Sequence, residues 1–400
     1  MDRNDAENGD TNNNFIGNPY PSAIDFDLFM AENAYSASNT SGTLDGAVYL
    51  WSHDTPPSST INGNQAFNFG SSDYAIINDT GQTAGGDNNN DGIITAADEP
   101  NRYIPSGQGF FVNYDNAGAV NATTTNPTEN NDPISQGTVT FRNSMRVVGN
   151  NDQFFRFSNT PNSASSQENK LWLLLTSDNG IASQILVGYK DNATNADDGG
   201  RFDARRSTSN GIGAILYSTI ENSTKKYAIQ GKATQSLTLD EVIPLGLYTT
   251  INTSTIYTIS ISHYQGDFFN NNTIYLKDNL LNLTHDLSNN NYTFTSEVGD
   301  FKDRFEIVFL NNTLNTNSFE AITNNFSIIE LENNNVKFSY SGNSTIKSVK
   351  ILDVLGRTIY QLRGNKKTEI YNLSSLSSSV YIAQIELSNG TLISKKAIKK

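Results

Sequence analysis

Two apolar runs decide the fold class of this chain: KLWLLLT at residues 170–176 and SQILVGY at residues 183–189. Each run has the length and composition of a β-strand, and the segment between them contains the Asp, Asn and Gly that turns favour. Similar runs with alternating apolar residues recur along the chain, whereas long helical patterns are nearly absent. The sequence therefore predicts an all-β protein.

The candidate strands fall into three groups, which predict three domains. Residues 1–136 form an N-terminal β domain, and residues 137–316 hold about ten short strands, as a two-sheet sandwich or jelly roll requires. Residues 317–400 follow a linker of Asn, Thr and Leu and read as a small seven-stranded, Ig-like β-sandwich. The expected architecture is thus tandem β-sandwich or jelly-roll domains followed by this smaller sandwich.

Three local expectations concern the first 141 residues. Residues 23–33 carry the one plausible short helix. Residues 115–136 are rich in Thr and Asn, contain few large apolar residues and read as a long loop. Residues 138–141 alternate in polarity and are expected to form a strand.

The composition excludes several classes of chemistry. The chain has no cysteine, which rules out a disulfide scaffold, a thiolate zinc site and a cysteine nucleophile. It has three histidines, His53, His263 and His285, which stand alone in the sequence, and His263 on a predicted strand reads as half-buried structure. The sequence shows no nucleophile elbow, zinc-protease motif or phosphate-binding glycine loop. We therefore expect a protein that is not an enzyme, although a pair of carboxylates among the many acids could escape recognition.

Charge is distributed unevenly along the chain. The formal net charge is −14, and residues 321–400 hold 11 basic against 5 acidic residues, which leaves 16 basic and 36 acidic residues before them. An acidic body would repel a phosphate backbone, so we expect no nucleic-acid partner. The basic end could still meet an anionic partner.

The chain shows no obvious membrane or leader segment. No apolar run approaches the ~20 residues that span a bilayer. Residues 1–14 are polar and acidic, unlike a signal peptide. We expect either a cytosolic protein or the mature or truncated portion of a longer exported one, and the rest of the chain favours the second.

Residues 87–98 have the spacing of a calcium-binding loop. Oxygen-bearing side chains occupy positions 1, 3, 5, 9 and 12, with Gly at position 6 and an apolar residue at position 8. This pattern is typical of dockerin and EF-hand loops, although no entering helix precedes it, and the alternative is a flexible acidic turn. The predicted Ca²⁺ ligands are Asp87, Asn89, Asp91, the Ile93 carbonyl, Thr95 and Asp98.

Two further groups of residues suggest weaker sites. The acidic stretch at residues 191–203 has no recognised ligand spacing and reads as a solvated loop, with weak calcium or sugar binding as the alternative. Several aromatic residues could stack on sugars if exposed, but in a sandwich they more often belong to the core. They are Trp51, Tyr103, Phe110, Phe111 and Tyr264.

The C-terminal segment resembles the type A C-terminal sorting domain of the type IX secretion system of Bacteroidota. The resemblance covers about the last 75 residues and rests on VKILDVLGR at 349–357, IYNLSSL at 370–376 leading to VYI at 380–382, and NG at 389–390 followed by a lysine-rich end. Two positions depart from the family: residues 329–332 replace the usual Tyr-Pro-Asn-Pro opening, and Ser379 replaces a Gly. Without the resemblance, this segment would be a plain Ig-like module with a solvated lysine tail.

The resemblance implies export across the outer membrane and a location at the cell surface or outside the cell. It implies as partners the type IX translocon and its outer-membrane shuttle barrel, and such domains are usually removed on attachment to the surface. The residues it marks as the sorting signal are Gly356, Arg357, Gly390, Lys395, Lys396, Lys399 and Lys400.

Residues 15–310 resemble a recurrent region found upstream of that signal in flavobacterial surface proteins. The matching pieces include FIGNPYPSAID at 15–25 and YIPSGQGFFV at 103–112. The family normally has more strands before the first piece, which implies that this chain is the C-terminal part of something larger. We expect a binding or structural, adhesin-like role, with the carbohydrate-binding accessory region of a polysaccharide-degrading enzyme as the alternative.

Overall fold

The fold is all-β, as the sequence predicts. In the computed structural model the described residues are all except 6–11, 53–72, 88–92, 128–130, 152–167, 179, 207–212, 254, 310–325, 343, 354–356, 378, 389–391 and 400. The chain divides into two compact units, Met1–Leu310 and Asn311–Lys400.

The N-terminal part of the first unit is built around a five-stranded antiparallel sheet with the order β2-β8-β4-β5-β6. A three-stranded sheet, β1-β10-β9, and the short pair β3-β7 accompany it. The elements are β1 (Asp2–Asn4), β2 (Asn13–Gly17), β3 (Ile24–Asp25), α1 (Phe26–Asn33), β4 (Leu44–Trp51), β5 (Tyr74–Ile77), β6 (Gln82–Thr83), β7 (Tyr103–Ile104), β8 (Gly109–Tyr114), β9 (Ala122–Asn126) and β10 (Asp132–Gln136).

Helix α1 confirms the predicted short helix and covers one face of this sheet. Asp25 caps it, because its carboxylate accepts a hydrogen bond from the backbone N–H of Leu28 at 3.0 Å. Phe26 and Phe29 are buried against the apolar side chains of β4, β5 and β8. This helix therefore closes the N-terminal core from one side and leaves the other sheet face for different contacts.

Two local predictions in this region were wrong. Residues 115–136 are not one loop, because they contain the hairpin strands β9 and β10, whose register pairs Ala122 with Gln136. Residues 138–141 are not a strand: Asn33 on α1 donates a side-chain hydrogen bond to the Thr140 carbonyl at 2.9 Å and accepts one from its N–H at 2.6 Å. The Asn33 side chain thus satisfies the Thr140 backbone groups that a neighbouring strand would otherwise pair with.

The rest of the first unit is a sandwich of two five-stranded sheets, with the orders β14-β12-β11-β16-β19 and β13-β15-β20-β17-β18. All pairs are antiparallel except β12 with β14. The elements are β11 (Asn169–Ser177), β12 (Ala182–Lys190), β13 (Ala214–Ser218), β14 (Ile229–Ala233), β15 (Val242–Thr249), β16 (Tyr257–Gln265), α2 (Asp267–Asn271), β17 (Tyr275–Asp278), β18 (Leu283–Asp286), β19 (Tyr292–Phe294) and β20 (Gly299–Val308).

Strand β11 is apolar on both faces because each face packs against a different core. Leu171, Leu173 and Leu175 point into the sandwich core between the two sheets. Trp172 points the other way and packs with residues of the N-terminal sheet such as Ile76. A strand that is covered on both faces reads as a continuous apolar run, and the N-terminal sheet supplies the second cover.

The second unit is a seven-stranded sandwich with the sheets β21-β22-β25 and β24-β23-β26-β27 around one core. The strands are β21 (Phe326–Glu330), β22 (Asn335–Tyr340), β23 (Ile346–Leu352), β24 (Thr358–Arg363), β25 (Thr368–Asn372), β26 (Ser379–Leu387) and β27 (Leu392–Lys399). Every named pair is antiparallel.

Candidate functional site

Four aromatic side chains form a row on one face of the N-terminal sheet, and we call this row the aromatic strip: Phe15, Phe111, Tyr74 and Trp51. Neighbouring ring centroids along the row are 5.0, 5.9 and 4.9 Å apart. Phe15 is 67% exposed, and the other three are partly exposed. Contiguous exposed apolar surface of this kind marks interaction sites more often than chance.

Strand alternation and register together build the strip. Phe110 is fully buried in the core that α1 covers, so the next residue, Phe111, faces the opposite side of the sheet. The register then places Phe15 directly opposite Phe111, and it places Trp51 directly opposite Tyr74. Cross-strand aromatic pairs at these distances stabilise a sheet, and these rings meet at tilted or edge-to-face angles of 55° to 79°.

Gly109 gives Phe15 the space that its ring occupies. A Cβ atom at position 109 would lie 2.3 Å from the tip of the Phe15 ring, which is closer than real Cβ contacts allow. Any side chain there would displace the ring from the strip. Gly109 therefore leaves space for this ring, and its φ angle is not in the positive region.

The aromatic residues singled out from the sequence separate into three groups. Trp51 and Phe111 belong to the strip, and Phe110 belongs to the core. Tyr264 is 42% exposed and Tyr103 is partly exposed, and both lie on other strands. Sequence reasoning did not single out the strip residues Phe15 and Tyr74 as ring contacts, because only their pairing with distant strands reveals them.

The predicted calcium loop is described in part. Asn89 and Asp91 lie outside the described residues. Asp98 is buried, and its carboxylate accepts hydrogen bonds from the Thr95 N–H at 2.8 Å and from the Thr95 hydroxyl at 3.3 Å. Within the described part of the chain, no three acidic or histidine side chains are grouped so as to hold a metal ion.

The end of this loop is fixed to the sandwich. Ile94 is buried against Leu174, and its carbonyl accepts a hydrogen bond from the Ser262 hydroxyl at 2.9 Å. The Glu99 carboxylate lies 3.2 Å from Nε2 of His263, whose ring stacks on Trp172 with centroids 4.1 Å apart. The loop that carries the calcium pattern therefore ends in a polar contact with strand β16.

Ser262, His263 and Glu99 are joined by contacts, because Oγ of Ser262 lies 3.2 Å from Nδ1 of His263 and the Glu99 carboxylate lies 3.2 Å from Nε2. The Ser262 hydroxyl donates to the Ile94 carbonyl and accepts from the Gln184 amide at 3.1 Å, so it is held by structure. Burial lowers the pKa of His263 to about 4 and raises the pKa of Glu99 well above its usual range. The His263 ring is therefore neutral near neutral pH, and the arrangement is compatible with a structural contact. His285 is partly exposed, and His53 lies outside the described residues.

The acidic stretch at residues 191–203 is occupied by contacts within the protein. Asp198 accepts hydrogen bonds from the N–H and the hydroxyl of Thr194 at 2.5 and 2.8 Å. Asp197 lies 2.5 Å from Nζ of Lys225, and Asp203 is fully buried, where it accepts the N–H of Gly231 at 3.0 Å. These carboxylates hold the loop against neighbouring strands.

The residues of the expected sorting signal differ in their surroundings. Arg357 is exposed and pairs with Asp353 at 2.6 Å, and Lys396 lies on β27 opposite Ile382. Lys399 is buried, and its Nζ donates to two backbone carbonyls at 2.7 Å, so this lysine is not part of a solvated tail. Nζ of Lys395 donates to the Phe326 carbonyl at 2.6 Å. Gly356, Gly390 and Lys400 lie outside the described residues.

These features define a β-sandwich protein of two units, with an aromatic strip on the first. Residues 2–309 match a family described as "Domain of unknown function (DUF8693)", and residues 314–399 match "Domain of unknown function (DUF8694)". The first match covers well over half of the chain, so the protein belongs to the DUF8693 family. A search of curated proteins finds no match. The helices of the described residues are too short or too polar to cross a membrane.

Proposed function

We propose that this protein is exported by the type IX secretion system and acts at the cell surface or outside the cell as a binding protein. The C-terminal motifs that resemble the sorting domain carry the export part of the proposal. The compact seven-stranded unit Asn311–Lys400, which has its own core, is compatible with a separable signal module.

Export is tested by transplanting this unit. Residues 311–400 are fused to a fluorescent reporter with a periplasmic leader in a bacterium that has a type IX system, and surface display is compared with that in a translocon-deficient strain. We expect display only in the strain with the translocon. In the full protein, deletion of residues 321–400 should retain it inside the envelope. Surface display after that deletion would overturn the export proposal.

The binding part of the proposal rests on the aromatic strip. Phe15 is 67% exposed and its three neighbours are partly exposed, so their rings offer apolar surface to the apolar face of a sugar, and Tyr and Trp add polar groups at the edges of their rings. The acidic body favours a neutral ligand over an anionic one. We therefore propose a neutral polysaccharide as the ligand, which makes the first unit a carbohydrate-binding region with an adhesin-like role.

A glycan array tests this binding. We expect a specific hit for the full chain and a loss of about tenfold or more in affinity for Phe15→Ala, which removes the most exposed ring. Tyr264→Ala is the matched control, since it removes an exposed aromatic ring outside the strip. Equal loss in both variants, or no hit, would contradict sugar binding by the strip while leaving the export proposal intact.

A further inference from the structure

An open cleft in the N-terminal part of the first unit is lined by hydrogen-bond donors and apolar groups. Its volume is about 470 Å³, which is within the range of small-ligand sites. Its lining residues, which all belong to the described part of the chain, include Pro21, Ser22, Asn143, Arg146 and Val148, and none of them is acidic. The lack of a carboxylate among them sets this cleft apart from the otherwise acidic body.

The Arg146 side chain is held in this cleft by neutral groups. Its backbone forms a bridge with Ile24. Nε donates to the Ser22 hydroxyl at 3.0 Å, and Nη1 donates to the side-chain carbonyl of Asn143 at 2.9 Å. The guanidinium carbon lies 5.4 Å from the centre of the Tyr20 ring. These contacts orient the guanidinium group and leave its third nitrogen, Nη2, without a partner among the described residues.

Other arginines of the first unit are compensated within the protein. Each of the following contacts a carboxylate: Arg3, Arg102, Arg142, Arg201 and Arg304. Arg146 has no acidic partner among the described residues, although the chain is rich in Asp and Glu. A guanidinium that neutral groups orient is preorganised for an external anion, because that anion need not displace an internal ion pair.

The other lining groups indicate the kind of anion. Arg146 is the one basic residue among the described residues that line the cleft, so the cleft matches one negative charge better than the nearly two of a phosphate. The Asn143 amide nitrogen has no partner in the described part of the chain and offers N–H groups to hydroxyl oxygens. Pro21 and the fully exposed Val148 add apolar surface. A uronic acid combines these features, since it carries one carboxylate, several hydroxyls and apolar C–H groups.

We propose that this cleft binds a uronic acid unit of an acidic polysaccharide, with the carboxylate on Nη2 of Arg146. The C–H groups of the sugar ring lie against Pro21 and Val148. The acidic body does not prevent this binding, because repulsion between exposed charges is screened beyond about 8 Å at physiological ionic strength, whereas the guanidinium acts by direct contact. The site is distinct from the aromatic strip and rests neither on binding by the strip nor on export.

Isothermal titration calorimetry of the full chain tests the role of the carboxylate. Trigalacturonate is compared with its methyl ester, which keeps the sugar rings and loses the charges. We expect the acid to bind about tenfold or more tightly than the ester, since a charge-assisted hydrogen bond is lost in the ester, and its affinity should fall as salt is added. Equal affinity of the two forms, or no binding of either, would overturn the proposal. Tighter binding of a sulfated neutral trisaccharide would overturn the assignment to a carboxylate.

Two variants locate the binding in the cleft. Arg146→Gln should weaken trigalacturonate binding by about tenfold or more. Arg142→Gln is the matched control, because Arg142 is an exposed arginine four positions earlier that pairs with Glu32, and it should keep the affinity. Val148→Asp should abolish binding, because it places a negative charge beside the ligand.

Thermal melts check that the variants fold. Arg146 and Val148 are exposed, so each variant should melt near the temperature of the unmodified chain. Phe15→Ala should keep its affinity for trigalacturonate, which separates this cleft from the aromatic strip. Unchanged affinity in Arg146→Gln and in Val148→Asp would refute the site.

Discussion

Burial sets the protonation of single residues in the first unit. His263 is held neutral, with a pKa of about 4, because its ring lies against Trp172 and away from solvent. Burial also raises the pKa of Asp203 to about 8, since its carboxylate sits beneath the acidic stretch that contains Asp197 and Asp198. Such groups make stability depend on pH.

His263 should make the protein less stable in mild acid. The unfolded chain protonates this histidine near pH 6.5, but the folded protein does so only near pH 4, so stability is complete above pH 6.5 and declines as pH falls to about 4. The full loss is about 3 kcal/mol. Urea unfolding at pH 7, 6 and 5 measures it, and His263→Phe should decline less steeply with acid.

The raised pKa of Glu99 acts in the opposite direction, because it costs stability as pH rises above about 4.5. The comparison between variants is therefore more informative than the profile of the unmodified chain alone. His285→Phe serves as the control, since His285 lies on another strand, β18, and is only partly buried. An identical pH dependence in His263→Phe and the unmodified protein would contradict the assignment.

At the scale of elements, a buried ion pair joins β17 to β20. Nη2 of Arg304 lies 3.2 Å from Asp278, whose carboxylate also accepts the Tyr292 hydroxyl at 3.0 Å. The two charged side chains are 3% and 0% exposed, and the guanidinium packs 4.5 Å from the centre of the Phe294 ring. Each of these two buried charges is therefore compensated by the other.

Arg304→Met should destabilise the sandwich by about 3–5 kcal/mol, because it leaves the Asp278 charge buried without its partner. The double variant Asp278→Asn with Arg304→Met should lose less than the sum of the two single variants. Urea unfolding of all four proteins gives the coupling energy.

The same two strands supply a control for that cycle. Lys277 and Glu306 pair at 2.8 Å on β17 and β20, but their side chains are partly exposed. Lys277→Met should cost less than about 1 kcal/mol. A similar cost for Lys277→Met and Arg304→Met would show that burial does not determine the strength of these pairs.

The segment at residues 87–98 makes an element-scale prediction about calcium. Asp87→Ala should lower Tm in calcium and leave it unchanged in excess chelator, because only the bound ion couples this carboxylate to folding. Asp91→Ala should behave in the same way. A thermal melt in calcium and then in chelator measures both.

Asp191→Ala is the control for calcium, since Asp191 is an acidic residue outside the predicted loop and accepts the Thr234 hydroxyl at 3.2 Å. Its Tm should not respond to calcium differently from that of the unmodified chain. If the unmodified chain melts at one temperature in calcium and in chelator, the segment is an acidic turn and not a calcium site.

At the scale of the whole molecule, the two units have separate cores. The clusters of buried apolar residues in Met1–Leu310 share no residue with the cluster in Asn311–Lys400. We expect residues 1–310 alone to show the same calorimetric transition that they show in the full chain. A shift of more than a few degrees, or failure of the fragment to fold, would show that the first unit depends on the second.

The strands of the sandwich were predictable because each one buries an apolar face. Strands β11 and β12, for example, consist largely of apolar residues that are buried in the structure. Hairpin β9–β10 escaped prediction because its Thr residues are mostly exposed, so no apolar alternation marks it. Residues 138–141 were wrongly predicted as a strand because their apolar residues alternate. Val139 and Phe141 do pack against the N-terminal core, but the Thr140 backbone pairs with the Asn33 side chain and not with a strand.

The sequence by itself determined the all-β class, the positions of most buried strands and the spacing of the calcium-type loop, because these depend on residues close together in the chain. Only the tertiary structure decided which rings share the aromatic strip and which charges are buried. Phe15 and Phe111, or Tyr49 and Arg206, are far apart in sequence, and their proximity follows from strand register and from the packing of one sheet on another. Neither the strand register nor the packing of the sheets can be deduced from the local amino-acid composition.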